Sequence, residues 1–317
     1  MHDGTSAIML KVGVAAAVLW GTWAAVGQDA GAIVGWGSRV VVPPSALSNL
    51  VAVAAGSFHS LGLRADGSIV AWGSNDDGYD YYAGQCTVPV PNSEFVAVAA
   101  GWRHSQGLKS DGSIVAWGSN DWGECNVPPP NTSFVAIAAG WFHSLGLKAD
   151  GSIRAWGRND HGGCNVPAPN TGFTSVAGGA GHSLGLKTDG SIVAWGSNYS
   201  GQCNVPPPNA DWVAVAAGGS HSLGMRADGS IVAWGRNYEG QCDVPPPNTS
   251  FVAIAAGRSH SLGLKADGSI AAWGDNYYGQ CNNPVSNSGF VGVSGGAYHT
   301  LGVKASGTIV AWGANDD

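Results

Sequence analysis

The sequence predicts an all-β protein built as a ring of seven small, similar sheets, and three observations predict it. A motif close to GxxHSLGLKADGSIVAWGxN occurs seven times, with its histidine at His59, His104, His143, His182, His221, His260 and His299. The first histidine step is 45 residues and every later one is 39, a step shared by Cys86, Cys125, Cys164, Cys203, Cys242 and Cys281. A period near 40 residues means copies of a unit too small to bury a core alone. Within each copy, short apolar runs are bounded by Gly and Asp-Gly, the pattern of strands and tight turns. No segment after Gly27 carries helical periodicity.

The chain opens on a different composition. Lys11 precedes a stretch from Val12 to Val26 that holds only small or apolar residues apart from Thr22. Ala25-Val26-Gly27 supplies a small-x-small cleavage site, so residues 1–27 are expected to be a signal peptide and 28–317 the mature, secreted or extracytoplasmic domain. The stretch is shorter than the roughly 20 residues that span a bilayer. An uncleaved anchor is the alternative; after cleavage no membrane contact is expected.

The repeat runs almost to the last residue, which favours one large repeat domain over two ordinary ones. Fifty glycines, fourteen tryptophans and only 11% charged residues suit short strands around a dry core. The net charge is −7 and no Lys or Arg run is present, so nucleic acid is not expected as a partner.

The second copy shows the elements in order. Phe95 to Gly101 alternates Val96 and Val98 with Ala97 and Ala99 and reads as strand one. His104 to Leu108 reads as strand two, Asp111-Gly112 as a type I′ hairpin turn, and Ser113 to Gly118 as strand three. The proline-rich connector, Val205-Pro206-Pro207-Pro208 in a later copy, is suited to an extended edge segment or weak fourth strand. In strand two His221, Leu223 and Met225 face one way and Ser222 and Gly224 the other, a bulky face and a small face that nest against identical neighbours. Seven such sheets arranged radially make a seven-bladed β-propeller. A lone Trp-Gly segment, Ala32 to Gly37, precedes the first full copy and is expected to close the ring beside the last one.

The Gly-x-x-His-Ser-Leu and Trp-Gly-x-Asn pattern resembles the regulator-of-chromosome-condensation repeat family over residues 32–317. That resemblance also implies seven blades. The short repeats with Gly-Gln-x-x-Val-Pro connectors look most like the family's secreted bacterial branch that inhibits β-lactamase. The founding eukaryotic branch is a nucleotide exchange factor; this chain departs from it by its leader, its acidic balance and the absence of a basic tail.

The repeat histidines and tryptophans read as frame, with each imidazole bonding neighbouring backbone carbonyls and each indole in the core between blades. The cysteines read as buried apolar thiols, since equivalent positions on adjacent blades lie too far apart to bridge. The basic residues after strand two, such as Lys109, read as a rim neutralised by the Asp two positions later. Function is expected where the copies differ.

Strand directions put the dipeptide before each histidine and the loop after each Trp-Gly-x-Asn on one face. The dipeptides contribute Phe58, Trp102, Arg103, Trp141, Phe142 and Tyr298 as partner-binding candidates. The loops contribute Trp122, Tyr199, Tyr238, Tyr277 and Tyr278, and the longer first loop adds Tyr79, Tyr81 and Tyr82. The resemblance implies the same aromatic face as an inhibitor's contact surface. The expected function is therefore a monomeric, non-catalytic binding propeller with a protein partner and no cofactor or metal. Carbohydrate binding is the alternative, because Tyr and Trp beside Asn and Asp suit sugar rings. A hydrolase using Glu124 or Glu239 ranks below both, since glycoside cleavage needs two carboxylates at controlled separation.

Overall fold

The computed structural model describes residues 47–75 and 83–314 and folds them as a seven-bladed β-propeller. The expected signal peptide, the Trp-Gly segment at 32–37, and Tyr79, Tyr81 and Tyr82 lie outside the described residues. Each blade is a three-stranded antiparallel sheet in sequential order. The first uses Leu50–Ala55, His59–Arg64 and Ile69–Gly73; the last uses Phe290–Gly295, His299–Lys304 and Ile309–Gly313.

Strand one lies innermost. Its Ala-Ala-Gly ends, such as Ala99, Ala100 and Gly101, line a narrow axial cavity of about 100 Å³. The alternation expected along this strand breaks at its second residue. A bulge between Phe95 and Ala97 turns Val96 outward and lets Val98 and Ala99 bury, and the same shift recurs in every blade. Strand two carries a glycine where the strand-one ring crosses it: a Cβ on Gly107 would sit 2.5 Å from the Phe95 ring.

The cores lie between blades. Ala52, Leu61, Leu63 and Ile69 of the first blade pack against Phe95, Val98 and Trp117 of the second. Leu301, Val303 and Ile309 of the seventh pack against Leu50, Val53 and Trp72 of the first, so the last sheet meets the first directly. Burying a large apolar side chain contributes about 1.5–3 kcal/mol. Because each blade provides one wall of two cores, no blade is stable by itself.

Two expectations about turns are corrected. The hairpin is a three-residue loop, with Arg64 N–H bonded to Ser68 O and only Gly67 at positive φ (78°), rather than a two-residue type I′ turn. The Asp66 carboxylate accepts from Ser68 N–H and Oγ–H, which holds this geometry. No connector forms a fourth strand among the described residues. Instead an asparagine returns to the outer strand: Asn92 Oδ1 accepts from Ile69 N–H and its Nδ2 donates to Ile69 O, both at 2.7 Å. Asn131, Asn170, Asn209, Asn248 and Asn287 repeat the clasp. One amide thus satisfies, at one residue, the backbone pair that a fourth strand would have met.

The basic rim has a second role besides neutralising the hairpin aspartates. Lys109, Lys148, Lys187, Lys265 and Lys304 lie over the Phe that opens strand one, and Arg226 lies over Trp212. The hairpin aspartates are held below the usual carboxylate range first by serine and also by the adjacent cation, which at the same time covers the aromatic face.

Candidate functional site: the aromatic loop face

The repeat histidines build a closed relay under this face. His59 Nε2 bonds Ser105 Oγ on the next blade at 2.9 Å. The same step joins His104 to Ser144, His143 to Ser183, His182 to Ser222, His221 to Ser261 and His260 to Thr300. His299 to Ser60 then closes the circle at 3.1 Å. Ser105 Oγ–H donates onward to Gln85 O, so its oxygen accepts and the histidine Nε2 carries the proton. Trp117 Nε1–H donates to the same Gln85 O, and the pattern recurs at Glu124, Gly163, Gln202 and Gln241. Hydroxyls thus replace the backbone carbonyls expected as histidine partners. Burial alone pushes His143 and His299 down to about 4, and burial with neighbouring imidazoles adding to it pushes His59 and His104 down to about 3.

Directly above this relay, the dipeptide preceding each histidine makes a turn. Gly56 N–H bonds His59 O, and Ser57 N–H reaches across to Gly101 O of the next blade. Equivalent bonds run round the axis and end with Ala297 N–H on Gly56 O. The loop after strand three is anchored by its asparagine: Asn120 Oδ1 accepts from Cys125 N–H and its Nδ2 donates to Asn126 Oδ1. A buried Glu or Gln then clamps the tip. Glu124 accepts from Trp122 N–H and Ser119 Oγ–H, and Gln202, Gln241 and Gln280 accept from the backbone of Ser200, Glu239 and Tyr278. Burial raises the Glu124 carboxyl, while these hydrogen bonds oppose the rise.

The cysteines sit beside this clamp, free and half-buried rather than buried. Their thiols point at backbone carbonyls, as Cys125 Sγ does at Ser119 O (3.2 Å), and burial pushes Cys125 up to about 12.

On this support the candidate side chains form a continuous row. Tyr277 contacts Tyr278 (ring centroids 4.9 Å apart), Tyr278 contacts Tyr298 (5.1 Å), and Tyr298 contacts Phe58 (6.3 Å). Phe58 meets Trp102 edge-on at 5.4 Å, and Trp102 lies 4.3 Å from Trp141 and 5.9 Å from Phe142. Arg158 lies over both Phe142 and Trp122, which brings Trp122 into the row. Arg258 lies over Trp141 and Tyr298 and donates to the Tyr298 hydroxyl. Arg103 is half-buried, with its Nε unpartnered.

Two aromatic candidates stand outside the row. Among the described rings Tyr199 contacts only His161, Tyr238 lies under Arg236, and the two are 86% and 85% exposed. The sequence reading missed residues that matter by being small. Trp141 reaches across from its own blade so that a Cβ on Gly219 would lie 3.3 Å from its indole. Ala180, Gly181, Gly219 and Ser220 floor a cavity of about 240 Å³ beside Trp141 and Phe142. The readable signal was Gly163, which stands where the other described loops carry Gln or Glu.

The repeat model described as "Regulator of chromosome condensation (RCC1) repeat" matches residues 50–78, 95–124, 134–162, 173–202, 212–241, 251–280 and 290–317. The chain belongs to this repeat family. Among curated proteins, none matches it in sequence. Solved structures similar to it include the CRINKLY WD40 ectodomain of the Arabidopsis thaliana receptor kinase ACR4, at 22% identity and TM-score 0.67, covering 83% of this chain and 97% of that one. The ectodomain of the Physcomitrella patens receptor kinase CR4 aligns at 24% identity and TM-score 0.66, covering 82% of this chain and 73% of that one. Prp20p from Saccharomyces cerevisiae, described with its binding to Gsp1p and histones, aligns at 20% identity and TM-score 0.66, covering 80% and 82%. At these identities the likeness concerns the fold.

Proposed function

We propose that the protein is an exported, non-catalytic binding propeller that grips a protein partner with its aromatic loop face. The observation that carries this reading is the continuous row from Tyr277 to Trp122, held on loops whose backbone is bonded at several points. Aromatic side chains, and the arginines already stacked on them, lose little further freedom on binding and favour interface hot spots. Glu124, which a hydrolase would need as an acid, is committed to the loop clamp. The relatives point the same way, because Prp20p is described with protein partners. Inhibition of an enzyme by occlusion is one use such a face suits, and nucleotide exchange is a weaker fit for an acidic chain.

The test is capture from the medium of the source cells with immobilised full-length protein. Trp102→Ala, Trp122→Ala and Trp141→Ala together should abolish capture of a specific protein. Capture that survives the triple variant removes the face from the function. Binding to a glycan array with no protein captured would move the function to sugars.

A further inference from the structure

At the boundary of the third and fourth blades, three positions of the loop face carry no side chain or only a methyl. Gly163 replaces the buried Gln or Glu of the other described loops, and the adjoining dipeptide is Ala180-Gly181. The next dipeptide, Gly219-Ser220, is also small. The result is the cavity of about 240 Å³ that opens beside Trp141 and Phe142. It is smaller than the roughly 300–1,000 Å³ of ordinary small-molecule sites. It suits one large side chain.

We infer that this cavity is the recognition pocket for a single uncharged aromatic side chain of the protein partner, with tyrosine the best fit. The inference deepens the protein-binding reading and rests on it. Three observations select the ligand. Trp141 and Phe142 form an apolar wall on which a planar ring can pack. The charged groups at the rim cancel, because Arg158 Nε is paired with Asp160 Oδ2 at 2.6 Å. A rim of zero net charge favours neither an inserted cation nor an inserted anion. His161, Ser197 and Ser220 line the remaining wall and can bond a phenol hydroxyl, while Gln202 stays in its loop clamp.

The restoring substitution is written into the protein itself. Gly163→Gln installs the residue of four other loops (Gln85, Gln202, Gln241 and Gln280), and Gly163 lies outside the positive-φ region. A Cβ there would meet Gly181 O at 3.1 Å, so a second variant, Ala180→Leu, fills the cavity from its floor.

The probe is 4-methylphenol, the tyrosine side chain alone, titrated into the full-length protein. Binding is followed by the indole N–H resonance of Trp141. Saturable binding with a dissociation constant of roughly 1–10 mM is expected for so small a ligand. Gly163→Gln and Ala180→Leu should each weaken it at least about tenfold with the melting temperature retained. Three results overturn the inference: no saturable shift, equal affinity in both folded variants, or displacement of the probe by methyl glucoside. The probe requires no partner. Its failure alongside intact Trp-dependent capture therefore removes the pocket and leaves the binding face standing.

Discussion

The two ends of the propeller are made by the same seven repeats and look nothing alike. On the hairpin end, Asp66, Asp111, Asp150, Asp189, Asp228 and Asp267 each accept from the serine two residues later, with nearly the same bond lengths. On the loop end, the dipeptide before the histidine runs from Trp141-Phe142 to Ala180-Gly181 in neighbouring blades. The difference teaches where geometry leaves choice. The hairpin must present one short oxygen-bearing side chain to the residue two positions on, Asp to Ser in six blades and Ser306 to Thr308 in the seventh. The loop tips are fixed from beneath by Asn, Gln or Glu and the histidine relay, so the residues displayed above are free to specialise.

Breaking the frame should have the largest effect. The seven repeat histidines are held neutral by burial, with folded values near 3 to 4 against 6.5 for the free side chain. Their stabilising contribution is therefore complete above pH 6.5 and is lost as pH falls toward those folded values. The unfolded chain gains protons that the folded chain refuses, at about 1.4 kcal/mol per histidine per pH unit. Urea midpoints should drop steeply between pH 6.5 and 4; a flat profile there would refute neutral, buried imidazoles.

A single relay link should cost less. Ser222→Ala removes the acceptor of His182 and a donor to Gln202 O, leaving a buried N–H without a partner. The expected loss is about 1–3 kcal/mol, read from denaturant unfolding, with binding unaltered. Substituting the face should do the reverse. Trp141→Ala should weaken partner binding by roughly tenfold or more while stability changes little, because the indole is half-exposed and rests on Gly219. Loss of folding instead would make Trp141 part of the frame.

Two smaller effects sharpen the contrast. Tyr199→Ala should reduce affinity less than Trp141→Ala, since Tyr199 stands apart from the row; isothermal titration with the captured partner ranks them. Asp189→Ala, on the hairpin end, should lower the urea midpoint only slightly through its lost turn bonds and leave affinity unchanged. An affinity change there would give the hairpin end a role in recognition.

Periodicity alone determined the blade number, the order of three strands, and the face shared by dipeptides and loops. A 39-residue step and alternating strand directions admit few other arrangements. The relay was not legible, because His59 meets Ser105 only when adjacent blades are set at one angle and height. The asparagine clasp was hidden for the same reason. In the sequence Asn92 is a connector residue; in the fold it is the edge partner of Ile69. The bulge at Val96 reversed a local alternation because a β pattern cannot show where a ladder gains a residue. Which aromatics touch was also settled in three dimensions. Trp102 and Trp141 meet across a blade boundary, whereas Tyr199 and Tyr238 project singly. The cavity is the clearest case. Glycines at 163, 181 and 219 are three unremarkable letters until closure of the ring sets them around one space beside Trp141. Sequence fixes which side chains exist on the face; only packing of blade on blade decides where their absence leaves room.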